Sequence, residues 1–139
     1  MIQLIQNKKI IGAIIAIIVL SLSSWFMVVS SKENDYTPEQ AIERYYKAAQ
    51  NGDIDEAKKY CATEVLDYYE RGNAVFTGTI SAAIQDEGSK YEKVQPEKTK
   101  ITGQFATVSV NLTHQGGDYK TTEDYHLIKE EDGWKLTFQ

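Results

Sequence analysis

The sequence predicts an α+β domain carried behind an N-terminal transmembrane helix. Three observations predict it: an uncharged apolar run, Ile10 to Val29; helical periodicity from Thr37 to about Gly88; and two-residue alternation from about Lys90 to the end. The domain is expected to hold about three helices against a curved antiparallel sheet of four strands. Residues 1–31 form a cytoplasmic tip and membrane segment, 32–36 a polar linker, and 37–139 the folded domain.

At about 1.5 Å per residue, a helix over Ile10–Val29 is about 30 Å long, which matches the hydrocarbon core of a bilayer. Lys8 and Lys9 precede it and hold the N-terminus in the cytoplasm, so the domain lies outside the plasma membrane, single-pass. The alternative is a cleaved signal peptide, with Ser21–Ser24 as the cutting region and a secreted product. Apolarity resumes at Trp25–Val29, which a cleaved peptide does not need, so the uncleaved signal-anchor is preferred.

The helical part divides as follows. Thr37-Pro38-Glu39-Gln40 has the form of a capping box with proline in the first turn. Ile42, Tyr45, Tyr46 and Ala49 then share one face, and Asn51-Gly52 ends the helix. Asp53 caps a second helix in which Ile54, Ala57 and Cys61 face inward. Thr63–Glu70 continues it, and Arg71-Gly72-Asn73 breaks it. Ile80, Ala83 and Ile84 mark one more short helix, ended by Gly88.

Four strands follow. Tyr91–Ile101 contains Pro96, which has no amide to give a ladder, so this strand belongs at an edge. In Phe105–His114, Ala106, Val108, Val110 and Leu112 take one face and Thr107, Ser109, Asn111 and Thr113 the other. After the Gln115–Asp118 turn, Tyr119–Lys129 sets Tyr125 and Leu127 on one face and His126 and Ile128 on the other. After Glu130–Gly133, Trp134, Leu136 and Phe138 face inward.

Composition narrows the function. Of the 15 basic residues two are Lys8 and Lys9, which leaves 13 from Lys32 onward against 20 acidic ones. An acidic domain without an arginine cluster excludes nucleic acid as a natural partner. Cys61 is the single cysteine, so the domain has no internal disulfide, and its helical position makes it a small core residue. His114 and His126 are not at metal-ligand spacing. No cofactor, nucleotide or catalytic motif is present. Asp124 and His126 have acid–base chemistry, but they alternate away from Tyr125 and Leu127 and so point to solvent; His114, beside a glycine-rich turn, is expected to be solvated.

The Thr37–Ala41 opening, Tyr45-Tyr46-Lys47-Ala48-Ala49, Asn51-Gly52-Asp53 and Glu56-Ala57-Lys58 resemble the first helices of the nuclear transport factor 2-like superfamily. Tyr125–Lys129 and Asp132–Leu136 resemble its last hairpin. The nearest likeness is to bacterial envelope domains of unknown function described as lumazine-binding-like. The resemblance implies a cone-shaped domain with a pocket at its wide end, and relatives that include isomerases, dehydratases and proteins without chemistry. Many of these relatives carry a lipid-modified cysteine after the apolar segment, which this chain lacks.

Tyr45, Tyr46, Tyr69, Tyr125 and Trp134 are the candidate pocket or interface residues, with no catalytic, metal or cofactor residue named. The sequence favours a tethered, non-catalytic module that contacts another envelope protein or a second copy of itself. The alternatives are a pocket enzyme of the isomerase or dehydratase type and a carrier of a small apolar ligand.

Overall fold

A computed structural model describes residues 35–71 and 78–137 of the chain. The candidate membrane segment, residues 10–29, lies outside the described residues. So do Phe138 and most of the Arg71-Gly72-Asn73 break.

Four helices precede four strands: α1 (Pro38–Gln50), α2 (Ile54–Lys58), α3 (Thr63–Glu70), α4 (Ile80–Lys90), β1 (Tyr91–Thr102), β2 (Phe105–His114), β3 (Lys120–Glu130) and β4 (Gly133–Leu136). The strands form one antiparallel meander in the order β1-β2-β3-β4. β1 is an edge, as Pro96 requires, and its register with β2 shifts at Tyr91/Lys93 and Pro96/Lys98. Such bulges bend a strand and curl the sheet.

α1 is the central element. Thr37 Oγ1 accepts from the Gln40 amide at 3.3 Å, and Gln40 Oε1 accepts from the Thr37 amide at 3.0 Å, which completes the capping box. Its buried face carries Ala41, Ile42, Tyr45, Tyr46, Ala48 and Ala49. That face packs with Ala106, Val108, Val110, Leu112, Leu127 and Trp134 of the sheet in one core cluster. Tyr36, at the linker's end in the sequence reading, is buried in this core. Its ring meets that of Tyr60 edge-on at 5.6 Å, and the Arg44 guanidinium lies 5.0 Å above it.

Two helix boundaries differ from expectation, each for a packing reason. α2 and α3 are separate helices, because the chain between them serves the sheet. The Ala62 amide donates to the Leu136 carbonyl at 2.8 Å and the Leu136 amide to the Tyr60 carbonyl at 2.7 Å. This bridge covers the free edge of β4, where unpaired backbone groups would otherwise face solvent. Gly88 does not end α4, which runs on to Lys90. A Cβ at position 88 would stand 2.5 Å from the Ala49 carbonyl oxygen, so glycine is what lets α4 approach the end of α1.

Lys135 points away from Trp134 yet is buried. Its ammonium donates to the Lys59 carbonyl and to Asp132 Oδ2, the latter at 2.8 Å. The long side chain thus pins the α2–α3 connection to the final hairpin.

Candidate functional site

Between the helices and one part of the inner sheet face lies a cavity of about 350 Å³. α1 supplies Tyr45 and Tyr46, neighbours on its buried face. α3 supplies Val65 and Tyr69, and Cys61 lies just before α3. Ile80, Ala83 and Glu87 come from one stripe of α4, since positions 80, 83 and 87 repeat at helical spacing. Glu123 and Tyr125 come from the inner face of β3, and Leu136 and Thr137 from the end of β4. The lining is therefore aromatic and aliphatic, with two carboxylates.

A short hydrogen-bonded line crosses this site. Tyr46 Oη donates to Glu87 Oε2 at 3.0 Å, and the hydroxyls of Tyr46 and Tyr125 are 2.5 Å apart. Tyr46 has one proton and gives it to the carboxylate, so Tyr125 donates to Tyr46. Glu87 Oε1 is in turn held by the Lys90 ammonium at 2.7 Å. The rings stack edge-on: Tyr45 on Tyr46 at 5.1 Å, and Tyr46 on Tyr91 and Tyr125 at 5.9 and 6.0 Å.

The electrostatics follow from burial. Desolvation pushes the phenols of Tyr45, Tyr46 and Tyr125 well above their usual range, with Tyr125 and Glu87 adding to the effect on Tyr46. All three are neutral hydrogen-bonding groups at any physiological pH. Burial also pushes the Cys61 thiol up to about 11, so it is a protonated wall residue rather than a nucleophile. The Glu87 hydrogen bond pushes Lys90 above its ordinary value, which keeps it a cation.

Four of the five sequence-named residues, Tyr45, Tyr46, Tyr69 and Tyr125, line the cavity together. Trp134 does not; it is buried in the core, with the Lys129 ammonium 5.4 Å from its ring centre. Asp124 and His126 lie on the opposite sheet face, where Asp124 accepts from Ser109 at 2.5 Å and His126 Nδ1 is 3.3 Å from Thr107 Oγ1. His114 is less solvated than expected. It is half-buried between the rings of Tyr91 at 4.9 Å and Tyr119 at 4.6 Å.

Glu87 and Glu123 are the site residues that the sequence reading missed, and both had a signal. Glu87 sits seven residues after Ile80 and three after Ile84, so a carboxylate interrupts an inward apolar stripe. Glu123 is two residues before Tyr125, so it shares the face that Tyr125 and Leu127 define.

A curled antiparallel sheet wrapped on helices, with a pocket between them, defines the nuclear transport factor 2-like fold. The structure is similar to a Campylobacter jejuni protein provisionally named an NTF2-like transpeptidase, with a TM-score of 0.53 and 17% identity, over 75% of this chain and 100% of that one. It is also similar to RPA3114, a SEC-C motif containing protein from Rhodopseudomonas palustris, with a TM-score of 0.53 and 14% identity, over 73% of this chain and 76% of that one. At these identities the likeness is one of fold. The chain belongs to a domain family of unknown function, DUF4878, whose pattern spans residues 29–137. No curated protein matches it.

Proposed function

We propose that this chain is a membrane-tethered, extracytoplasmic module whose pocket binds a small, largely apolar or aromatic molecule. One observation carries the reading: the 350 Å³ cavity, walled by four tyrosines and aliphatic side chains, with a few polar groups converging on it. Ligand sites have this size and this mixture of apolar wall and placed polar groups. The sequence alone favours capture of an envelope protein; the cavity turns the weight toward a small ligand.

A pocket enzyme of the isomerase or dehydratase type is the second reading, because Glu87 and Tyr125 face one cavity. Neither oxygen of Glu87 is free to take a substrate proton, since Tyr46 and Lys90 engage both. The tether rests on Lys8-Lys9 and the uncharged run to Val29. It predicts that the full chain stays in the membrane pellet after alkaline wash and that external protease removes the domain from protoplasts. A soluble product beginning near Ser24 would mean secretion instead.

The pocket is tested with the full chain in a nonionic detergent and a panel of aromatic and aliphatic fragments, read by saturation-transfer NMR. Ala83 lines the cavity from α4, so Ala83→Trp fills it. Binding to the unaltered chain that Ala83→Trp abolishes supports the pocket. Binding that persists in Ala83→Trp, or no binding at all, contradicts it.

A further inference from the structure

We propose that the cavity is built for an organic cation: a ligand with a methylated or alkylated ammonium head on an apolar body. The inference rests on the pocket reading and specifies the charge of what enters. Among the described residues that line the cavity there are four aromatic rings and two carboxylates, Glu87 and Glu123, but no lysine, arginine or histidine. Such a lining suits a cation and opposes an anion for two separate reasons.

The first is the rings. The face of a tyrosine carries the negative side of its quadrupole, and a soft cation seated against several such faces is stabilised without needing hydrogen bonds. Here Tyr45, Tyr46, Tyr69 and Tyr125 come from three different elements and converge on one space. The phenols of Tyr45, Tyr46 and Tyr125 remain neutral, so they contribute faces and hydroxyl dipoles rather than charge.

The second is the net charge of the neighbourhood. Lys90 is the cation bound to Glu87, and it is shared with Asp86 at 3.4 Å. Glu123, exposed at the rim, adds a third carboxylate. Three carboxylates against one ammonium leave the site negative. An anion would have to enter this field with no positive lining residue to meet it, whereas a cation is drawn in and then partly desolvated against the rings. A neutral molecule of the same shape gains the apolar wall but neither electrostatic contribution. A quaternary ammonium suits the site because rings from three elements present polarisable surface to its methyl groups.

The test compares three probes of one shape and different charge: choline, its uncharged carbon analogue 3,3-dimethyl-1-butanol, and the anion 3,3-dimethylbutanoate. Each is titrated by calorimetry into the full chain in nonionic detergent at low ionic strength. The expected result is choline binding at least tenfold more tightly than the alcohol, and no measurable binding of the anion. Glu87→Gln keeps the size of the side chain and an acceptor for Tyr46; it should weaken choline about fivefold or more, and weaken it more than it weakens the alcohol. Glu123→Gln is at the exposed rim, cannot disturb folding, and should weaken choline two- to threefold in the same selective way. Equal or tighter binding of the alcohol overturns the cation inference and leaves the pocket reading standing. Binding of the anion also overturns it, as does choline affinity unaffected by both glutamine variants. Failure of all three probes overturns it too, and the fragment panel with Ala83→Trp then decides the pocket separately.

Discussion

The packed core and the tyrosine-lined cavity are walled by the same helix, α1, and the same inner sheet face, but they are filled in different ways. In the core, Ala41, Ile42, Val108, Val110 and Leu127 are almost completely excluded from solvent, and Trp134 closes the cluster at 7% exposure. These are side chains without hydroxyls, free to interdigitate until no space remains. In the cavity the wall is made of phenols. Each needs a partner for its hydroxyl when buried, so Tyr46 is fixed by Glu87 on one side and Tyr125 on the other. Hydrogen bonds hold the rings of Tyr46 and Tyr125 in place beside a gap that apolar groups would close. The lesson is local: the apolar stripe of the core closes on itself, whereas beside the cavity two linked hydroxyls and a carboxylate fix ring positions next to a space.

That contrast is broken most severely from the core side. Trp134→Ala removes the largest buried ring from a region that cannot collapse around the loss. It should cost about 3–5 kcal/mol, seen as a lower denaturant midpoint for the full chain. A loss under about 1 kcal/mol would place Trp134 outside the core.

A smaller effect is expected at the boundary. Tyr46→Phe keeps the ring and its edge-on contacts but leaves Tyr125 and Glu87 without their shared partner. The expected cost is about 1–2 kcal/mol in the denaturant midpoint, and the cavity wall should lose its fixed geometry. If the variant were as stable as the parent, the hydroxyl line would not be what holds the rings.

How far these two regions can be read in the sequence differs as well. Most of the fold is legible, because helix caps and strand alternation are local. Thr37–Gln40, Asp53 and the 106/108/110/112 stripe act within a few residues of themselves. The breaks between α2 and α3 and at Gly88 are not legible. The first depends on β4, more than 70 positions away, and the second on the backbone of α1. The site is legible in part for the same reason. Four tyrosines are visible as inward-facing aromatics, but whether an inward residue packs or lines a void depends on what stands opposite. That is why Trp134 and Tyr125, on the same sheet face, end in different surroundings. Glu87 escapes notice because a carboxylate on an apolar stripe reads as an exception until its tyrosine partner is placed beside it.

The smallest expected effect concerns the hairpin that closes the core. The Lys135 hydrogen bond holds the Asp132 carboxyl below its ordinary value. A carboxylate whose folded pKa is lowered contributes stability above its unfolded value, about 4, and that contribution is lost as pH falls through the folded value. Asp132 is 61% exposed, so screening limits the effect to under about 1 kcal/mol. Asp132→Asn should therefore lower stability slightly at neutral pH and make it fall less steeply below about pH 4. An unchanged acid slope would show that Lys135 is held by the Lys59 carbonyl alone.

The central claim is that the tyrosine-lined space, and not the outer sheet face or the core, receives a ligand. The most direct measurement is NMR of the full chain with carbon-13-labelled tyrosine rings, titrated with choline and with 3,3-dimethyl-1-butanol. The nine tyrosines report from every region of the domain. The account predicts that Tyr45, Tyr46, Tyr69 and Tyr125 shift together, saturably, while Tyr36 and Tyr60 in the core and Tyr119 near the β2–β3 turn stay in place. Shifts confined to Tyr119, shifts spread evenly over all nine rings, or none at all would contradict it.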